Sequence, residues 1–445
     1  MSQTNKIIIY CTILAALLGY NFYEFKYNMS IGVGHAYTAK SLALSYNFNV
    51  DEYWGNAGVD VIDYNNHKYT AYAPFNSVLM AIAYFVLQIF YYLYTNVIGP
   101  INGVVSAILE SLFLRIPSLV AYAGIAVLID RFLRKYNVDD FVRRIVIIGL
   151  LLGTILFNYS LSFFNHSLAA FFIFTAYFLI DRSKSRLDYF CSGILVGAAF
   201  LAEFPTGIFA IAVFVFLTYL LLKKQIDIRS YLTRLLAFAG PILTAIILLG
   251  FFNYYHFGSP LKMSEQILFE QKSLIGTQHS FSQNPMYGLW GLYFSPLKGL
   301  FLISPFLLFA LIGFKKFWVV KRSSALFGIV YISLVSIVYS MWPDCFGATP
   351  FGPRYLISVI PFLAFYSAFG ITKKIGYRIY LILVIYAVYI CIMNALDGLP
   401  SGTWFGMDRC NTLEYASLFK ANSYFRLLIN GNFHLAPYLL RNLIL

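Results

Sequence analysis

Acidic side chains are scarce in this chain. Of 445 residues only 19 are Asp or Glu, against 32 Lys or Arg, and charged residues together make up 11%. So few charges cannot clothe a soluble protein of this length. Cysteine is also rare: five residues give no disulfide framework. Cys11, Cys191 and Cys391 fall inside apolar runs, where Cys acts as a small apolar residue. Cys345 and Cys410 fall in polar stretches, where a disulfide between them is allowed. There is no Gly-rich phosphate cradle, no Ser/His/Asp order and no Cys/His metal spacing. No soluble domain, low-complexity tract or internal repeat stands out. A transporter of the inverted-repeat kind therefore lacks its usual sign in the sequence.

What the chain has in plenty is apolar length. It is 60% hydrophobic with a mean hydropathy of +0.71. Runs of 18 or more apolar residues recur, each long enough to span a bilayer as a helix. The fold class is therefore an all-α polytopic membrane protein. The net charge of +13 is not a nucleic-acid signal, because the basic residues sit in short loops between apolar runs. They cluster at Arg131–Arg144, Arg182–Arg186, Lys223–Arg234, Lys315–Arg322 and Lys373–Arg378. That is the positive-inside pattern, which faces these loops and the N-terminus to the cytoplasm and their positive charge to anionic lipids. These loops are too short to bind a nucleotide.

This sidedness fits about eleven spans, near 6–25, 109–132, 143–161, 166–181, 189–204, 206–222, 231–252, 298–314, 323–341, 354–371 and 378–395. The loops 26–108, 253–297 and 342–353 and the tail 396–445 then lie outside. The run Phe75–Ile98 would reverse the next basic loop if it crossed, so it reads as a juxtamembrane helix at the outer interface. Its Tyr84, Phe85, Phe90, Tyr91, Tyr92 and Tyr94 suit that place. Twelve spans is the alternative. The first run lacks a small-residue cleavage site and reads as a retained span. The transmembrane domain is thus 1–395.

The polar residues at the outer ends carry the chemistry. The loop from Lys26 to Pro74 holds Asp51, Glu52, Asp60 and Asp63, which can serve as a base or hold a divalent metal. No cofactor is required by the sequence. Trp342-Pro-Asp344-Cys-Phe-Gly-Ala-Thr-Pro-Phe-Gly-Pro-Arg354-Tyr355 is a rigid turn ending in one Arg at the mouth of a span. A guanidinium there can grip a phosphate bidentately. His166, in Asn165-His-Ser, can meet a phosphate or hydroxyl. Glu203, in Ala-Glu-Phe-Pro, is costly without a partner, and Arg354 or a substrate cation is the expected one. Glu265 and Glu270, in the third outer loop, could either face substrate or be solvated, and read as solvated. Arg115 reads as the outer start of the second span. Three Asn-x-Ser sites (Asn28, Asn158 and Asn165) fall on or near the outer face.

Several blocks together resemble the GT-C superfamily of integral-membrane glycosyltransferases. They include Thr38–Leu42, Phe48-Asn-Val-Asp51, His67–Pro74, Arg115-Ile-Pro-Ser118, Asn165–Ala170, Gly193–Glu203, Phe257–Leu261, Phe294–Phe301 and Phe351–Leu356. The resemblance implies transfer of a sugar from a polyprenyl-phosphate donor to a glycan, lipid or protein acceptor on the outer face, with inversion. In this reading Arg354, His166, Glu203, Tyr355 and Trp342 bind substrate. The family keeps an acid just after the first span; here Asn28–His35 has none, and Thr70-Ala-Tyr-Ala-Pro74 lacks the family's charged pair. Asp51, Asp60 or Asp344 then takes the role of base. A non-catalytic lipid-binding relative is the alternative reading, and a flippase a further one.

Overall fold

The computed structural model describes residues 2–26, 32–55, 57, 60–182, 185–271, 284–295, 298–342 and 351–397. Asp344, the Cys345–Cys410 pair and the tail beyond 397 lie outside the described residues. Helix dominates. The first half of the chain forms α1 (Gln3–Lys26), α2 (Val33–Ser45), α3 (Phe75–Val97), α4 (Gly103–Lys135), α5 (Asp140–Leu152), α6 (Ile155–Ser160), α7 (His166–Arg182), α8 (Arg186–Ala202) and α9 (Phe209–Leu222). The second half forms α10 (Ile228–Phe257), α11 (Ser264–Gln271), α12 (Pro285–Phe294), α13 (Leu300–Ile303), α14 (Phe309–Val320), α15 (Arg322–Ser340), α16 (Ile360–Gly370) and α17 (Lys373–Asp397). Among the described residues, six segments are long and apolar enough to cross a membrane: Phe75–Val97, Gly103–Lys135, Phe204–Leu222, Ile228–Phe257, Arg322–Ser340 and Ile375–Ala395; Gln3–Gly19 and Arg354–Gly370 are shorter apolar helices. The chain is a polytopic helical membrane protein.

Local chemistry sets the breaks. Asp139 caps α5 by accepting from the Phe141 and Val142 amides, and Asp227 caps α10 through Ser230 N. The span expected at 143–161 is interrupted at Gly153–Thr154, where Thr154 caps α6 and its hydroxyl donates back to Leu150 O at 2.7 Å. The span expected at 298–314 is likewise broken into α13, a 3₁₀ turn at Pro305–Leu308 and α14. Helices meet closely where glycine removes the side chain. A methyl at Gly313 of α14 would run into the Tyr366 carbonyl of α16, and one at Gly193 of α8 into the Phe238 carbonyl of α10.

The two ends of the bundle are distinct. At one end the Asp181 carboxylate, fully buried, takes Lys135 Nζ at 2.7 Å, Lys321 Nζ at 2.6 Å and the Tyr136 hydroxyl at 3.0 Å. Asp130 nearby takes Arg134 at 2.7 Å and Arg143 at 3.1 Å. At the other end lie the starts of α7 and α16, the ends of α8, α10 and α15, and the loops that follow α1 and α10.

α3 begins and finishes on that second side. Asn76, in its first turn, donates to Phe163 O at 3.0 Å, and Tyr91 donates to Ser106 O of α4 at 2.8 Å. Ser106 stands roughly 44 Å along α4 from Lys135 at 1.5 Å per residue, so α3 does not carry the chain to the opposite end. Arg115 is not at a helix start. It lies inside α4, 1% exposed, with Nε donating to Ser111 O at 2.9 Å and its guanidinium reaching Ala16 O of α1 at 3.3 Å. A methyl at Gly19 would occupy its place. Asn158 is also buried, donating to Cys391 O at 3.0 Å, so its side chain does not face outward.

One element was not expected in an all-helical chain. Val61–Tyr64 (β1) and His67–Thr70 (β2) pair antiparallel with Tyr64 opposite His67. The two-residue turn is Asn65-Asn66, with φ of 50° and 63°. Positive φ at both positions is what a hairpin of this twist needs, and Asn tolerates it.

Candidate functional site

The site grows from helix ends that the sequence pins to one another. Asn165, just before α7, donates its amide to Ala202 O at the end of α8. That brings His166 against Glu203, with Nδ1 3.0 Å from Oε2. The alignment is poor for a hydrogen bond, so this is a close polar contact. Tyr339, at the end of α15, donates to the other Glu203 oxygen at 3.4 Å. Glu203 was expected to meet Arg354 or a substrate cation; the contacts seen are His166 and Tyr339.

Arg354 enters from the following turn. Gly352 adopts φ 71°, which a residue with a side chain rarely takes, and turns the chain into Pro353 and Arg354. The guanidinium lies over the rings of Phe164 (5.6 Å) and Tyr355 (5.4 Å). Tyr355 in turn stacks flat on Tyr339, centroids 4.3 Å apart at 4°. Trp342 sits half-buried just past α15, its amide donating to Tyr339 O at 3.3 Å. His166, Glu203, Arg354 and Tyr355 thus come together, with Trp342 at the edge.

The first loop supplies the opposite wall. His35 of α2 is buried, contacts the Ser77 hydroxyl at 3.0 Å and stacks on Tyr72 at 4.5 Å. Burial, and then the charge of His166, push its imidazole down to about 3, so it is neutral at physiological pH. Gly34 lets Tyr72 and Thr70 approach this closely. Tyr72 donates to Asp60 Oδ2 at 3.0 Å. Burial and the Asp60 charge raise the Tyr72 phenol well above its usual range, with Arg354 opposing. Asp60 and Arg354 thus both lie within electrostatic reach of Tyr72.

Asp51 is placed elsewhere. Its two oxygens take His67 Nδ1 at 2.8 Å and the Lys68 amide at 2.6 Å, which ties the strand entry to the hairpin.

α11 closes the hollow from the third loop. Gly258, at φ 72°, ends α10 and turns the chain back. Gln271 exchanges side-chain hydrogen bonds with the Asp63 backbone, donating to its carbonyl and accepting from its amide at 2.9 Å. Tyr64 donates to Phe257 O at 2.7 Å. Ile267 and Leu268 pack with Ile62, Ala71 and Phe257.

Glu265 keeps an exposed outer surface, yet protein crowds its carboxyl on nearly every side. That combination places it on the wall of a hollow, and the crowding sets its proton affinity. Burial first, then the charges of Glu203 and Asp60, push it up to about 7, with Arg354 pulling it down. The sequence reading had taken Glu265 as solvated. Only its place soon after the Phe257–Leu261 block hinted otherwise, and nothing in the sequence singled out His35, Tyr72 or Tyr339.

Beside this polar hollow lies an apolar cavity of about 570 Å³. Phe200, Ile246, Phe251, Tyr254, Leu261 and Met263 help to line it. Met263 is two residues before Glu265. Among the described residues, no group of three or more His, Cys, Asp or Glu is arranged to hold a metal ion.

Comparison with known proteins gives a fold. No family model matches the sequence. No curated protein matches it. Among solved structures, the chain is similar to ArnT from Cupriavidus metallidurans bound to undecaprenyl phosphate, at 14% identity and a TM-score of 0.50 over 86% of this chain. The apo state of the same protein matches at 12% identity and a TM-score of 0.46. The match spans 63% of the ArnT chain in each case. The chain accordingly has the fold of ArnT.

Proposed function

We propose that this protein moves a sugar from a polyprenyl-phosphate donor to an acceptor on the outer face of the membrane, with inversion at the anomeric carbon. The observation that carries the reading is the hollow itself. One guanidinium, Arg354, and carboxylates from three separate segments (Asp60, Glu203 and Glu265) all act electrostatically on one place, and the chain just before Glu265 lines an apolar cavity. The fold is one in which ArnT holds undecaprenyl phosphate. The basic loops at the other end support a cytoplasmic N-terminus with the hollow outside.

In this mechanism the apolar cavity takes part of the isoprenoid chain and Arg354 grips the phosphate. As the bond from the anomeric carbon to the phosphate oxygen breaks, negative charge grows on the phosphate. A fixed guanidinium stacked between Phe164 and Tyr355 meets that charge without reorganising. The acceptor hydroxyl attacks the anomeric carbon from the opposite face and gives its proton to a carboxylate of the cluster. His166, held against Glu203, lies within the same group and suits a sugar or phosphate hydroxyl.

The test is transfer by purified protein in liposomes with radiolabelled polyprenyl-phosphate sugars. Wild type is expected to transfer label. Arg354→Ala is expected to lose about 10²–10³-fold in rate, the usual cost of removing one charge-stabilising donor. An Arg354→Ala protein that transfers at the wild-type rate would remove the phosphate role. Binding of the lipid without turnover in the wild type would favour a binding module instead, a reading that the carboxylate-free stretch Asn28–His35 keeps open.

A further inference from the structure

We infer that Glu265 is the general base of the transfer, and that α11 is the arm that carries it to the acceptor. The inference rests on the glycosyltransferase reading above and names the proton acceptor within the same site. Three observations support it. Glu265 stands at the first turn of a short helix whose far end is clamped to the hairpin by Gln271 and Asp63. Ser264, immediately before it, lines a narrow crevice with Tyr72, Thr38 and Ser77, so the start of α11 abuts the Tyr72–Asp60 pair. The charged groups that face Glu265 are Glu203 from the end of α8, Asp60 from the first loop and Arg354 from the turn before α16. The phenols of Tyr72 and Tyr339 face it as well.

The other two carboxylates have partners in place. Asp60 accepts from Tyr72, and Glu203 meets His166 and Tyr339. Glu265 is the member of the cluster whose proton affinity is lifted to near neutrality, where a general base works best.

The step balances simply. The acceptor O–H bond breaks and its proton goes to a Glu265 oxygen. The acceptor oxygen forms the new bond to the anomeric carbon. The old bond to the phosphate oxygen breaks, and the phosphate leaves with the electron pair, held at Arg354. Water then takes the proton from Glu265. Asp60 and Glu203 are positioning residues here: their negative charge keeps Glu265 basic enough.

The experiment is a pH–rate profile of kcat/KM for transfer from an undecaprenyl-phosphate sugar, paired with binding of undecaprenyl phosphate. Glu265 must be ionised to act, so the wild-type rate is expected to rise through about pH 7. Glu265→Gln is expected to lower kcat by about 10²–10⁴-fold, to erase that rise, and to bind undecaprenyl phosphate as well as wild type. Glu265→Asp should recover part of the rate and keep the rise. Asp60→Asn removes a neighbouring negative charge, so the rise should move to lower pH. A Glu265→Gln enzyme with wild-type kcat and an unchanged profile overturns the inference. So does an unmoved profile in a folded Asp60→Asn enzyme, even if Glu265→Gln fails to fold. Both results leave the transferase reading standing. A wild-type protein that neither transfers sugar nor binds undecaprenyl phosphate removes that reading, and this one with it.

Discussion

The two ends of the bundle hold similar residues in opposite balance. At the Asp181 end, cations outnumber carboxylates. One buried carboxylate meets Lys135, Lys321 and the Tyr136 hydroxyl, and a second meets Arg134 and Arg143. At the Arg354 end the balance reverses: Asp60, Glu203 and Glu265 gather around Arg354 and His166. A buried carboxylate saturated by lysines is a fastening, since removing either partner strands a charge. Carboxylates that outnumber their cations repel one another, which raises the proton affinity of Glu265 and leaves room for a cationic or protic guest. Similar residue types therefore fasten helices at one end and are available for chemistry at the other.

Mutation can break this comparison. The largest effect is expected from Arg354→Ala, which should cost about 10²–10³-fold in transfer while thermal unfolding in detergent moves little. At the other end the pattern should invert. Asp181→Asn leaves two lysines facing a neutral amide and should destabilise by about 3 kcal/mol, with the transfer rate per folded molecule kept. If Asp181→Asn instead abolished transfer in protein that still melts normally, the division between the ends would fail. Next comes Gly313→Ala, which forces α14 away from the Tyr366 carbonyl of α16 and should cost about 1–3 kcal/mol in the same melt. Smallest is Asp51→Asn. It weakens the links to His67 and the Lys68 amide and should cost about 1 kcal/mol. Faster hydrogen exchange over residues 61–70 would register that loss, with transfer near the wild-type rate. A large fall in transfer there would return Asp51 to the reacting group.

The sequence carried the class and one end of the site. Apolar length and the placement of Lys and Arg gave a polytopic helical protein, because both follow from the bilayer as solvent. The rigid Gly and Pro turn before Arg354, and the polar pair Asn165-His166, were legible because polar residues stand out at the ends of apolar runs. The second wall was not legible. Asp63 and Gln271 are 208 residues apart, and no periodicity announces a loop-to-loop dock. The hairpin was missed because its turn is Asn-Asn, a weaker signal than Asn-Gly, inside a stretch with no clear alternation. Glu265 reads as solvated and is exposed; what the sequence does not show is that α11 folds back, because the contacts that fold it back are in another loop. Glu203 was judged to need a partner, and the structure provides His166.

The length of α4 has one further consequence. Its 33 residues reach about 50 Å, against a hydrocarbon layer about 30 Å thick. Ser118, whose hydroxyl reaches Phe164 O at 3.3 Å beside the hollow, stands about 26 Å from the Lys135 end. On the proposed orientation the hollow lies near the rim of the oil, and the rest of α4 stands above it like a mast with α2, α3 and the hairpin as rigging. In the proposed reaction a lipid-borne sugar would arrive from below and a water-borne acceptor from above, and neither would have to leave its own solvent to meet the other.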